Sequence, residues 1–317
     1  MAPAPPPAPP STVIADAPAG NWVDAYAPAR LQPYLKLARF DRPIGAWLLL
    51  FPCWWSQALG ELSLGHPTPS PWHLMLFLIG AFVMRGAGCT WNDIVDRDYD
   101  GRVERTAKRP IPSGQVSVSQ ALAFAVGLCF VGLLVLLQFN RATVWVGVSS
   151  LVLVALYPFC KRFTYWPQLM LGLTFKWGAL VGWTAATGAL GAPALVLYAG
   201  AIAWTIGYDT IYAHQDKEDD AMLGLKSTAL LLGSATRPWL VLFYAGAVVL
   251  WGAAGAMAGA HAAFFGGLVL IGLQLAWQVA TLRIDDSTNC LVRFRSNKLV
   301  GWLLLAGIAA DMAMSAG

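Results

Sequence analysis

Residues 74–100 read LMLFLIGAFVMRGAGCTWNDIVDRDYD: an apolar run that ends abruptly in Asp93, Asp96, Asp98 and Asp100. The run is about as long as the roughly 20 apolar residues that cross a bilayer as helix. If that helix continues through the acidic end, Asp93, Asp96 and Asp100 fall at i, i+3 and i+7, on one face. Like charges stacked on one face repel unless a cation lies among them. Carboxylate oxygens suit hard cations such as Mg²⁺, which takes one or two protein carboxylates and completes its shell with water or substrate phosphate.

A second acidic end exists. Asp209, Tyr212, Asp216 and Asp220 follow another apolar run, at i, i+3, i+7 and i+11 of a continued helix. Asp216 stands 120 residues after Asp96, and Asp220 stands 120 after Asp100. Two acidic faces at matching depth, in matching halves, point to one site closed from two sides. Ten of the 17 acidic residues lie in 93–104 and 209–220. A solvated loop end accounts for one such cluster; a pair favours a site. The stretch from Asp96 to Gly101 also opens like an EF-hand loop, but the twelfth position, where the bidentate Glu belongs, is Ala107.

Working outward, the chain is 57% hydrophobic and 12% charged, with mean hydropathy +0.56, which excludes an ordinary soluble domain. In lipid the backbone must satisfy itself, and long uninterrupted runs favour helices over a barrel. The expected fold is all-α and polytopic: nine transmembrane helices in one bundle around a central cavity. The spans are expected at about 44–60, 73–92, 117–138, 143–159, 168–188, 193–213, 237–257, 262–282 and 298–315. Residues 1–27 read as a disordered Pro/Ala-rich tail, without the marks of a signal or transit peptide. Residues 28–317 form the membrane domain, entered through an interfacial amphipathic helix over 28–42. Of the 21 Lys and Arg, 18 lie in the N-terminal segment or in loops after even-numbered spans, so these, with both acidic motifs, face the cytoplasm. That places the chain in a bacterial inner membrane, or alternatively the mitochondrial inner membrane. The five cysteines and four histidines show no metal-ligand spacing. Nothing suggests a nucleic-acid partner, and no oligomeric state is implied.

Cations crowd the acidic ends. Arg97, Arg102, Arg105, Lys108 and Arg109 follow the first motif, Lys161 and Arg162 enter from the next cytoplasmic loop, and Lys226 follows the second. Metal plus Arg and Lys is what a diphosphate needs. A nucleotide would call for GxxxxGK[ST], which the chain lacks. A lipid-embedded site suits an isoprenoid diphosphate, with Gly178, Gly182, Ala185, Ala186 and Gly188 either packing helices or leaving a groove for the tail. A cation transporter would instead place its carboxylates near mid-membrane, in broken helices. Two cations lie within spans, Arg85 and Lys176, and each is a candidate partner for an acceptor's carboxylate.

The motifs carry a resemblance. Asn92-Asp93-x-x-Asp96-x-x-x-Asp100, with Arg105-Thr106-Ala107-Lys108-Arg109-Pro110-Ile111-Pro112-Ser113-Gly114, resembles the first motif of the UbiA-type intramembrane prenyltransferases. The stretch from Tyr208 to Asp220 is similar to their second motif, in the branch that prenylates 4-hydroxybenzoate. Arg39-Phe40-Asp41-Arg42-Pro43-Ile44-Gly45, Tyr157-Pro158-Phe159-Cys160-Lys161-Arg162 and Lys226-Ser227-Thr228 resemble that branch too. The resemblance implies Mg²⁺ held by Asp96, Asp100, Asp216 and Asp220, and transfer of a polyprenyl chain from its diphosphate to 4-hydroxybenzoate, at the ring carbon ortho to the hydroxyl, in ubiquinone synthesis. Arg162 is expected to assist the departing diphosphate. Asn92, Asp93, Arg97, Arg105, Lys108, Arg109, Lys161, Asp209, Tyr212 and Lys226, with Arg85 and Lys176, are expected at the substrates. Lys176 departs from the family, standing where a neutral residue is expected.

Overall fold

The computed structural model describes residues 20–103 and 106–315, and among these all regular structure is helical. The N-terminal stretch opens with α1 (Trp22–Tyr26) and α2 (Gln32–Leu37). The tail expected over 1–27 lies outside the described residues as far as 19; beyond that, α1 buries Val23, and Asp24 meets the Lys36 ammonium at 2.7 Å. The amphipathic helix expected over 28–42 is shorter than read, because the chain turns at Arg39, whose φ of 61° is left-handed.

The membrane helices follow: α3 (Ile44–Ser63), α4 (Pro71–Asp100), α5 (Val118–Leu136) and α6 (Arg141–Leu156). After a 3₁₀ turn at Tyr157–Arg162 come α7 (Pro167–Phe175), α8 (Gly178–Thr187) and α9 (Ala192–Ala213). A second 3₁₀ turn, His214–Asp216, leads to α10 (Lys217–Met222), α11 (Thr228–Leu232), α12 (Thr236–Met257), α13 (Ala262–Thr281) and α14 (Ser287–Ser315). Among the described residues, seven segments are long and apolar enough to cross a bilayer. Two expected spans fall outside that set. Helix α3 carries three tryptophans, Pro52, Gln57 and Glu61, which lower its hydropathy, and the fifth span is broken at Lys176–Trp177 into α7 and α8.

Helix α3 is the axis. Fifteen of its 20 residues are buried, packed chiefly by α8, α14 and α4. A helix apolar all round belongs in the interior. Its closest approach is to α8, where Gly178 and Gly182 leave no room for a Cβ against the Cys53 thiol and carbonyl. Gly178 and Gly182 thus serve as helix contacts here, since without a hydrophobic force between helices packing must be intimate. Polar side chains tie the far half together: Trp204 Nε1 donates to Asn297 Oδ1 at 2.7 Å, and Tyr244 Oη to Gln278 Oε1 at 3.0 Å. By contrast α5 and α6 expose Leu122, Val126, Phe130, Leu134, Trp145 and Val152 outward, the composition of a lipid-facing wall.

Candidate active site

Helix α4 runs unbroken through the first motif, so Asp93, Asp96 and Asp100 do share a face and are buried in the same cavity wall. Nothing in 71–100 interrupts it after Pro71, which sits at N1, where its missing N–H is harmless. The chain then folds back. Thr106 Oγ1 donates to the Asp100 carbonyl at 2.8 Å, and Gly114, at φ 73°, turns the segment home. A small core of Leu37, Ile94, Ile111, Val116 and Ala121 fixes the return.

This folding brings cations onto carboxylates. Arg109 Nη1 lies 2.7 Å from Asp100 Oδ2 and 3.2 Å from Asp93 Oδ1. Lys161 Nζ meets Asp96 Oδ2 at 2.7 Å, and Asn92 Nδ2 donates to the same oxygen at 3.0 Å. Sequence reasoning missed Arg39 as a site residue. Its Nη2 reaches Asp93 Oδ1 at 2.7 Å, from a side chain 10% exposed. Burial works against its charge, but Asp93 together with Cys89 and Asp41 outweighs it, so the guanidinium is held above its ordinary value. Neighbouring Asp41 is shifted upward, burial prevailing over Arg42 and Arg39.

The second motif departs from the continued helix expected of it. Helix α9 ends at Ala213, the chain tightens into the 3₁₀ turn, and Asp216 stands at the N-cap of α10 with Glu218, Asp219 and Asp220 in the first turn. Acidic residues are favoured there, beside unsatisfied N–H groups and the positive end of the helix dipole. Asp209, Tyr212, Asp216, Asp219 and Asp220 nevertheless line the same cavity as the first motif. The loops are stitched together where Lys226 N donates to the Lys161 carbonyl at 2.9 Å, and Lys226 Nζ to that of Phe163 at 3.2 Å.

That cavity has a volume of about 540 Å³. Along α4 its lining runs from Asp100 back to Leu76, roughly 36 Å at the helical rise of about 1.5 Å per residue, enough to reach across a bilayer core. Its polar head holds both acidic motifs, with Arg39, Arg42, Arg109, Lys161 and Lys226. Its apolar length is walled by α4, α5 and α6, and Phe77 stacks on Phe139 at 4.8 Å at the far end.

Of the expected site residues, Asn92, Asp93, Asp96, Asp100, Arg109, Lys161, Asp209, Tyr212, Asp216, Asp220, Lys226 and Arg85 line this cavity. Arg97, Lys108, Arg162 and Lys176 do not, and Arg105 lies outside the described residues. Arg97 is one residue on from Asp96, about 100° round the helix, and points outward. Arg162 lies 3.7 Å from Asp96 Oδ1 but stands on the outer side. Lys176, fully buried at the α7–α8 break, gives its ammonium to the Leu48 carbonyl at 2.7 Å and lies 4.6 Å from the Trp204 ring. Arg85 packs its guanidinium on Phe175 at 4.9 Å, against the gap Gly45 leaves.

The expected metal tetrad is not drawn together: among the described residues no three His, Cys, Asp or Glu side chains converge as a metal cluster. Asp96 and Asp100 turn instead toward Lys161 and Arg109, which neutralise them. The donor set still fits a hard cation. Asp93 Oδ2 and Asp96 Oδ1 are buried and accept no hydrogen bond, the latter with Arg162 at 3.7 Å, so both oxygens keep capacity for a positive ligand.

Known proteins resemble this chain in sequence and in fold. Residues 49–306 match the UbiA prenyltransferase family. The chain is 47% identical to the mitochondrial 4-hydroxybenzoate polyprenyltransferase of Caenorhabditis elegans, over 93% of its length and 82% of that protein. It is 46% identical to the human protein of the same name, over 89% and 76%. A UbiA homologue from Aeropyrum pernix superposes with a TM-score of 0.71 at 27% identity, covering 83% of this chain and 98% of that one. One from Archaeoglobus fulgidus, bound to GPP and Mg²⁺, gives 0.63 at 20%, covering 89% and 99%.

Proposed function

The chain belongs to the UbiA prenyltransferase family, and from that premise we propose that it transfers a polyprenyl group from polyprenyl diphosphate to 4-hydroxybenzoate, a membrane step of ubiquinone synthesis. The observation that carries this is the single cavity with both acidic motifs and their cations at its head and a long apolar channel behind. A diphosphate fits the head and an isoprenoid tail fits the channel. The same reading takes α3 and the α7–α8 pair as spans, nine in all, with the N-terminus and the site on the cytoplasmic or matrix side. The relatives named as mitochondrial favour a mitochondrial membrane over a bacterial inner membrane.

Asp96, Asp100, Asp216 and Asp220 would hold Mg²⁺, with Asn92 and Asp93 assisting. When bound, the ion supplies charge neutralisation to the diphosphate oxygens. Arg109, Lys161, Lys226 and Arg39 bind and orient the diphosphate, placing positive charge where the leaving group's negative charge grows. The reaction breaks the allylic C–O bond and forms a C–C bond at the ring carbon ortho to the hydroxyl, whose proton then leaves. The apolar channel walls keep water from the allylic centre, so the aromatic ring traps it. Arg85, the cation within a span among the residues lining the cavity, is the acceptor's carboxylate partner, and its charge also acts on Asp209 of the second motif.

The test is purified protein in detergent with Mg²⁺, labelled polyprenyl diphosphate and a panel of acceptors. Prenylated 4-hydroxybenzoate is the expected product. Turnover confined to a naphthoate, homogentisate, haem or a glycerol phosphate would move the chain to another branch of the family.

A further inference from the structure

Arg97 and Arg162, grouped by sequence with the diphosphate, leave the main cavity for a second pocket of about 500 Å³, which Arg102 also lines. It lies on the outer side of the last turns of α4, against the 3₁₀ turn at Tyr157–Arg162. This is where the span leaves the bilayer. The Arg162 guanidinium is held between the Tyr99 and Phe159 rings, 5.2 Å from each, and donates to the Val95 carbonyl at 2.9 Å. Arg97 is anchored by donating to the Ile94 carbonyl at 2.9 Å. A guanidinium has five N–H donors, so each retains donors beyond these bonds. The acidic member of the pocket is Asp98, 71% exposed and 3.6 Å from Arg97. Among the described residues three arginines face Asp98 and, through Arg162, Asp96, so the pocket keeps net positive charge and suits an anion.

Its rim says which anion. Trp91, with its indole N–H toward the Ala155 carbonyl at 3.4 Å, and Phe159 line the pocket. Leu156 and Val152 stand exposed just beyond, on the apolar face of α6. Aromatic rings at the headgroup level with apolar side chains below are the surroundings of a lipid rather than of a free ion. Basic pockets on the cytoplasmic or matrix side of a bundle take acidic headgroups. We propose that this pocket holds the phosphate of an anionic phospholipid, its acyl chains lying along α6. Arg162 is the wall between this phosphate and the Asp96 carboxylate of the main cavity.

Binding can be measured without substrate or turnover, so its failure leaves the prenyltransferase reading untouched. The full chain, purified in neutral detergent, is titrated with short-chain phosphatidylglycerol, phosphatidylcholine and inorganic phosphate, with bound lipid counted by native mass spectrometry. Phosphatidylglycerol is expected to saturate one site at least tenfold more tightly than phosphatidylcholine. Arg97→Gln with Arg102→Gln should weaken it roughly 30-fold, about five- to sixfold for each exposed cation. Both side chains are exposed, so the thermal midpoint should hold; Arg102→Glu alone is the second variant, expected to weaken binding as well. Equal affinity for the two lipids, or retention unchanged in both variants, overturns the proposal. Displacement of the lipid by millimolar phosphate also overturns it, since the site would then take a free anion.

Discussion

At the scale of the residue, position on a helix face decides more than charge. Asp93, Asp96 and Asp100 share a face and a cavity, whereas Arg97, in the same motif, is turned to the outside. Replacing Asp96 or Asp216 with Ala should therefore reduce turnover on the order of 10²-fold or more, the scale of losing one charge-stabilising group, with the thermal midpoint nearly kept. Wild-type rates in both variants would remove the two-motif site. The two in-span cations separate in the same way. Arg85→Met should weaken 4-hydroxybenzoate binding roughly 10- to 100-fold, because a carboxylate entering an apolar cavity loses its charged hydrogen-bond partner. Lys176→Met should leave acceptor affinity within about twofold, since Lys176 is turned away from the cavity to the Leu48 carbonyl. Equal acceptor Kd in the Arg85 variant and wild type, measured by calorimetry, would return Arg85 to structure.

At the scale of the element, the two acidic ends are built differently. The first rides one unbroken helix of 30 residues, and the second is split between α9, a 3₁₀ turn and α10. The sequence signal for that split is present: Asp216 followed by Glu218, Asp219 and Asp220 is how a helix starts, and the hydrophobic period alone overlooks it. The α3–α8 contact is the other decisive element. Gly182→Leu would drive a side chain into the Cys53 carbonyl, and overpacking of that kind destabilises by about 1–3 kcal/mol. A lower melting temperature in detergent is expected, with turnover and the substrate head contacts retained in what remains folded. A variant as stable as wild type would mean the helices can part at no loss.

At the scale of the molecule, the basic loops and the acidic head lie at one end of the bundle, with the apolar channel running to the other. Single cysteines placed at Ser113 and at Gly191, in a background freed of the native five, should label from opposite sides of the membrane. Ser113 follows the first motif and its arginines, while Gly191 caps α9 at the end away from the basic loops. Labelling of both from one side would overturn the nine-span topology.

The sequence by itself determined the membrane class, the places of seven candidate spans, the presence of two carboxylate motifs and the cations that accompany them. Each of these is a property of composition or of local period, and lipid enforces both by leaving the backbone only helices or closed barrels, of which long apolar runs select the helix. Tertiary structure alone decided which cations meet which carboxylates. Arg39 reaches Asp93 across 54 positions through a left-handed turn, a pairing no local pattern encodes. It also decided that Lys176 is spent on a carbonyl at a helix break while Arg85 faces the cavity, because two in-span cations of equal charge differ only in what packs around them.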